Sequence, residues 1–545
     1  MIFFNRLIYT AVFLALPMIS LAQKAEDESP VANWQNLDLK ADGVFGISTE
    51  KAYKEILKNK ISSPVVVAVI DGGVDTLHED LKEVLWINSK EIPGNGIDDD
   101  KNGYIDDIHG WNFIGSATAN VNHDNLEVVR LINKLQPKYA SALNSTPFTE
   151  EERKEFQMYQ KLVTDYMAKL QSAQMGYQNT TMIKRYLDEI LAKLGKENPT
   201  ADDFSDYKAA NDMESQVIKF IKPELKKRDF KKFYDELKEG ITYYDTQIKY
   251  HLNVDFDPRK DSVGDDYSNS NERYYGNNDV TGPDADHGTH VAGIIGAVRN
   301  NEIGIMGVAS DVKIMVLRTV PDGDERDKDV ANSIRYAVDN GAKILNMSFG
   351  KAYSWDKKVV DEAVKYAVSK GVLLVHAAGN DGKNTEKEDN FPNRLFTDST
   401  GVTMGTAQGW IEVGASGWKN DDELVASFSN YGGKTVDVFA PGVKVNSTMP
   451  GSTYKENDGT SMAAPVVSGL AALIWSYYPH FTALQVKDII MSSVEKVDQK
   501  VKIKEEGSTR RVSMNEISVT GGIVNAYKAL KLAEKTNSTA RVKSK

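Results

Sequence analysis

The stretch DADHGTHVAG, Asp284–Gly293, sets His287 and His290 three positions apart with Gly288 and Thr289 between them. Two imidazoles at that spacing can share a metal ion, or one can act as a base while the other packs. A zinc site draws its third and fourth ligands from Cys, His or carboxylates. The chain has 8 His and no Cys, and Gly288 and Thr289 stand where a metallopeptidase pair carries its Glu. The base reading makes a different demand: a buried carboxylate to orient the imidazole and a hydroxyl to activate. AVIDGGVD supplies Asp71 at the end of an apolar run. NDGTSMAAPVVSGLAALIW supplies Ser461 at the start of an apolar helix, after a Gly-Thr turn and with Pro465 expected in the first turn. A backbone N–H at that point is unpaired and lies at the positive end of the helix dipole, so it forms half of an oxyanion hole. AAGN ends in Asn380, whose side-chain amide is a candidate for the other half.

These residues need a scaffold that brings distant segments together. PVVVAVIDGG is a continuous β-branched run closed by Asp and glycines, which is how a strand buried on both faces reads. Similar runs recur at 312–320, 341–350, 372–380, 410–416 and 436–442. Amphipathic segments such as KDVANSIRYAVDN and DKKVVDEAVKYAVSKG separate several of them. The alternation predicts an α/β fold with a mostly parallel central sheet flanked by helices. Asp71 and Asn380 then fall at C-terminal strand ends, where open sheets of this kind place their sites.

IDGGVD, DHGTHVAG, AAGN and GTSMAAP, in the order Asp, His, Ser, resemble the signature segments of the subtilisin-like serine proteases. The pieces that match run over roughly 61–113 and 281–530, including the closing GGIVNAYKAL segment. The resemblance implies Asp71 as orienting acid, His287 as general base, Ser461 as nucleophile and Asn380 as oxyanion donor, with His290 a packing residue. It also implies that the chemistry needs no cofactor. Ser348, Phe349 and Gly350, with Ala378 and Gly379 after Ala377, would line the substrate cleft by pairing with an extended peptide. Small residues on both walls suggest room for a large apolar side chain before the scissile bond. Two features depart from the family pattern. The separation of Asp71 from His287 is much longer than usual, and the segment before the first strand is short for a folding propeptide.

Composition sets the context. The chain has 545 residues, 41% hydrophobic and 26% charged, enough to bury a large core. A net charge of −12 argues against a nucleic-acid binder, which must neutralise phosphates. Residues 1–22 carry Arg6, a short apolar run from Leu7 to Leu21 broken by Pro17, and a Ser20-Leu21-Ala22 exit. This is the pattern of a cleaved secretory signal, so export to the periplasm or the exterior is expected. No later stretch is expected to be apolar enough to span a membrane. Without cysteine, an exported enzyme has no disulfides, and a bound ion is a natural substitute. In NGIDDDKNGYIDD, Asp98, Asp100, Asn102, Gly103 and Asp106 fall at positions one, three, five, six and nine of an EF-hand-like calcium loop. Position twelve is His109 in place of the usual Glu, with Asp107 as substitute. A structural Ca2+ is therefore expected there.

The domain reading is a lead-in at 23–60, polar from 31 on with one helix at STEKAYKEILKN, a peptidase domain at 61–119 and 256–530, an inserted all-helical subdomain at 120–255, and a basic tail at 531–545. In the insertion, Thr149-x-x-Glu152 reads as a capping box, and Phe156, Tyr159, Val163, Tyr166 and Leu170 form one apolar stripe. The insertion is expected to narrow substrate choice as a lid or docking surface. Together these features predict an exported serine endopeptidase acting on protein or peptide substrates through an acyl-enzyme. The rivals are a binding protein on a degenerate protease scaffold and a metallohydrolase built on His287 and His290. Labelling by a serine-directed fluorophosphonate, lost in Ser461→Ala and indifferent to brief chelation, separates the three.

Overall fold

The computed structural model describes residues 29–398, 401–505 and 507–543, so the expected signal segment 1–22 lies outside the described residues. The β-branched runs form strands at the expected places. β1 (Val65–Asp71), β2 (Gly110–Asn112), β3 (Val312–Arg318), β4 (Ile344–Met347), β5 (Leu373–Ala377), β6 (Trp410–Ser416), β7 (Val438–Pro441), β8 (Glu495–Lys496) and β9 (Gly522–Ile523) join in one nine-stranded sheet. Its order is β8-β9-β7-β6-β5-β4-β1-β3-β2, and every neighbouring pair is parallel except β8 with β9. The strands absent from the sequence reading, β2, β8 and β9, are two or three residues long and carry no apolar run to announce them.

Burial on both faces explains the unbroken apolar character of the central strands. Val67, Val69, Ile344 and Val375 face a core completed by Val291, Ile294, Val466, Leu470, Ile490 and Leu530. Ala68, Ile70, Leu345 and Leu374 face the opposite core, with Val330, Ile334, Val364 and Ala367. The first core is covered by helices Asp286–Gly296, Thr460–Tyr477, Ala483–Ser492 and Ala526–Lys543, the second by Asp327–Asp339 and Lys357–Ser369. Register sets the site: Ile70 pairs with Met347 and Met347 with His376, so the chain leaves β1, β4 and β5 at one level of the sheet.

Three expectations need correction. Among the described residues one helix, Thr460–Tyr477, is long and apolar enough to cross a membrane, but 89% of it is buried within the protein. Its composition serves a helix wrapped by protein on every side. The lead-in is not a polar approach: Trp34, Phe45, Ile47, Ala52 and Leu57 are buried. Of the residues read as a basic tail, 531–543 continue the helix Ala526–Lys543, with Ala533 buried.

The chain divides into two compact units, one of them Val128–Phe256 and the other formed by the flanking segments. In the former, one helix of 45 residues, Glu150–Leu194, carries the apolar stripe that begins at Phe156. Thr149 Oγ1 accepts from Glu152 N at 3.2 Å and Glu152 returns a bond to Thr149 N at 3.0 Å, closing a capping box. Helices Asp212–Glu224 and Phe230–Thr246 pack on its second half through Ile183, Leu187, Ile190, Val217, Ile221, Phe233 and Leu237.

Candidate active site

Asp71 is the last residue of β1 and His287 the second residue of helix Asp286–Gly296. The helix reaches the strand end because residue 288 has no side chain: a Cβ there would lie 2.1 Å from Gly73 O and 3.2 Å from Asp71 Cβ. At this approach His287 Nδ1 sits 2.7 Å from Asp71 Oδ1, which also accepts from Gly72 N at 2.8 Å. The carboxylate is buried while the imidazole keeps 45% of its side-chain surface open, so the ring is accessible and its anchor is not. Removal from water pulls the His287 pKa down, but the charge of Asp71 and then its hydrogen bond outweigh this, and the net shift is upward.

His290 is turned away. Its ring is fully buried, one nitrogen (Nε2) bonds to Lys455 O at 3.0 Å, and burial pushes its pKa down to about 4. With Nε2 committed to a carbonyl, His290 stays neutral and packs.

Ser461 is the second residue of helix Thr460–Tyr477, and its N–H has no acceptor among the described residues. Pro465 lies a full turn further in than expected, where its missing N–H would have met the Ser461 carbonyl. That carbonyl instead accepts from Ser348 Oγ at 3.0 Å, and Ser461 Oγ donates to Ser348 O at 3.0 Å. The helix Thr460–Tyr477 is thereby tied to the end of β4. The hydroxyl of Ser461 is held on Ser348 O and not on His287.

Asn380 follows β5 across Gly379. Its Oδ1 accepts from Thr460 N at 2.9 Å and from Thr460 Oγ1 at 3.0 Å, which fixes the amide and leaves Nδ2 free. Gly459 stands between the two expected oxyanion donors: a Cβ on it would lie 3.5 Å from Ser461 N and 3.6 Å from Asn380 Nδ2. Both donors thus border one small space that a side chain would fill. Sequence reasoning did not nominate Thr460; its adjacency to Ser461 was the available signal.

Of the cleft residues, Ser348 is buried, Phe349 half-buried and Gly350 exposed; Ala378 is buried and Gly379 half-buried. The space between the two walls is not empty. The side chain of Asn390 enters it, with Nδ2 donating to Ala378 O at 3.2 Å.

In the acidic loop, Asp98 and Asp100 converge with Glu91, each offering an oxygen within 4.8 Å of the others. Asp106 is not part of this set. Asp106 accepts from the N–H groups of Gly94, Asn95 and Gly96 at 2.8, 3.3 and 2.9 Å, so its carboxylate closes a neighbouring turn. Asn102 Oδ1 accepts from Tyr104 N, and its Nδ2 donates to Asp107 Oδ2. Asp107 also takes bonds from Asn88 and Tyr336, and burial raises its pKa. Glu91 precedes the loop motif, which is why loop spacing missed it.

Comparison with known proteins adds an independent finding. Residues 62–513 match the subtilase family. A thermophilic serine proteinase of Bacillus sp. (strain AK1) is 41% identical over 191 residues, covering 35% of this chain and 42% of that protein. Subtilisin NAT of Bacillus subtilis subsp. natto is 38% identical over 210 residues, covering 38% and 50%. Subtilisin of Bacillus pumilus is 38% identical over 210 residues, covering 38% and 69%. The chain spans half or less of the length of the first two. With most of its length matched and an Asp–His pair and a helix-borne Ser supplied by the expected segments, the chain belongs to the subtilase family.

Proposed function

We propose that this chain is an exported serine endopeptidase that hydrolyses protein or peptide substrates through an acyl-enzyme. The observation that carries the reading is the 2.7 Å bond between Asp71 and His287; a helix start where Ser461 N and Asn380 Nδ2 border one space supports it. Ser461 Oγ leaves Ser348 O, turns to His287 Nε2 and attacks the scissile carbonyl as its proton passes to the imidazole. Asp71 holds the Nδ1–H and steadies the imidazolium. The oxyanion is bound by Ser461 N and Asn380 Nδ2. Collapse expels the amine, protonated by His287, and leaves the acyl group on Ser461. Water, deprotonated by the same imidazole, then releases the acid. Fluorophosphonate labelling tests the reading: native protein reacts, Ser461→Ala does not, and retention of labelling in Ser461→Ala refutes it.

Export rests on the signal pattern of residues 1–22. Structural calcium rests on Glu91, Asp98 and Asp100, a set of hard oxygen donors of the kind Ca2+ takes. Bound there, the ion would clamp the loop that ends at β2 and supply no chemistry to the cleft.

A further inference from the structure

β4 and β5 are paired as far as Met347 and His376, then diverge around the Ser461 turn. The fork between them is closed at its far end by another segment. Lys351 N donates to Phe391 O at 2.9 Å and Phe391 N to Lys351 O at 2.8 Å, which delivers Asn390 into the opening. Its orientation is fixed. Nδ2 donates to Ala378 O, which also receives Asn430 Nδ2 at 2.8 Å, so Oδ1 points to the opposite wall. A Cβ on Gly350 would lie 2.6 Å from Asn390 Oδ1, and one on Gly379 3.7 Å from Asn390 Nδ2. Gly350 thus admits the amide, whereas a Cβ on Gly379 would meet Asn430 Nδ2 at 2.5 Å and only touch Asn390; among the described residues Asn390 Oδ1 has no hydrogen-bond partner.

This geometry changes the expected preference. A peptide lying along Ser348–Gly350, with its carbonyl between Ser461 N and Asn380 Nδ2, directs the side chain before the scissile bond into this fork. A large apolar group would meet the amide and bury an unpaired carbonyl oxygen, which costs the desolvation of that oxygen. A shorter side chain with a donor would satisfy it.

We infer that Asn390 forms the floor of this pocket and selects, immediately before the scissile bond, a side chain bearing a neutral hydrogen-bond donor, an amide or hydroxyl, over a large apolar one. The inference rests on the endopeptidase reading above and names its substrate class. Sites built around a hydrogen bond discriminate far more strongly than sites that sense only size.

The test compares aminomethylcoumarin peptides that differ only in Gln, Ser, Leu or Phe at that residue, with Ser461 labelling measured on every variant. Native enzyme is expected to turn over Gln with kcat/KM about tenfold or more above Phe. Asn390→Gly opens the floor and reverses the order; Asn390→Leu, similar in size but without an acceptor, abolishes the advantage of Gln. Asn390→Asp keeps an acceptor and retains it, which guards against a variant that fails to fold. Labelled native enzyme that prefers Phe or Leu, or an Asn390→Gly ratio within about twofold of native, overturns the inference alone. Absence of both labelling and hydrolysis in the native protein overturns it together with the protease reading.

Discussion

Ser348 and Ser461 exchange two hydrogen bonds, each hydroxyl donating to the other's backbone carbonyl at 3.0 Å. The exchange depends on Pro465, which cannot give the Ser461 carbonyl its helical partner. Ser348→Ala would strand that carbonyl, at a cost of about 1–3 kcal/mol. Pro465→Ala in the same chain supplies a backbone N–H to it and should recover part of the loss. Urea unfolding of the single and double variants checks this, and an additive double variant would contradict it.

Thr460 orients Asn380 with two donors. Asn380→Ala should lower kcat by about 10²–10³ with little change in KM, the size found for such a donor in a bacterial subtilisin. Thr460→Val keeps the backbone bond, loses the hydroxyl, and should fall between native and Asn380→Ala. Steady-state kinetics on one peptide substrate suffices.

The two histidines predict opposite pH effects. His287 must be neutral to accept a proton, and its pKa is raised above 6.5. The acid limb of kcat/KM should therefore centre above 6.5, and Asp71→Asn should move it down while lowering kcat about 10⁴-fold. A limb unmoved by Asp71→Asn would contradict the assignment.

His290, held at about 4 against 6.5 when unfolded, binds its proton more readily in the unfolded chain. Its contribution is full above pH 6.5 and is lost as pH falls toward 4, by about 3 kcal/mol in all. Denaturation of native protein and His290→Asn across that interval should show a shallower decline in the variant.

If Glu91, Asp98 and Asp100 hold Ca2+, chelation should lower the Tm of native protein, and Glu91→Gln should remove most of that sensitivity. Asp106→Asn should lower Tm by weakening its turn yet leave the chelation response intact. An equal loss of response in both variants would return Asp106 to the ligand set.

What the sequence disclosed was whatever local chemistry marks. The run Val65–Asp71 is apolar throughout because both faces are covered, so a strand is visible without any partner. Asp71 ends such a strand and Asn380 follows one, while His287 and Ser461 open helices, each with a glycine within two positions. Asn390 was invisible because it acts from an irregular segment that returns to β4 only in the fold. Glu91 lies outside the loop periodicity. The buried lead-in was hidden by short 3-10 and π turns, which leave no repeating pattern around Trp34 or Phe45.

That lead-in also fixes an order of events. Ile47 O accepts from Ala526 N at 2.7 Å, and Ser48 Oγ from Asn525 Nδ2 at 3.0 Å. Early and late segments of the polypeptide therefore knit together, and such distant closures form slowly. A ribosome must release the polypeptide past residue 526 before this seam can close, so the fold stays open at its first residues until the last of these segments has emerged.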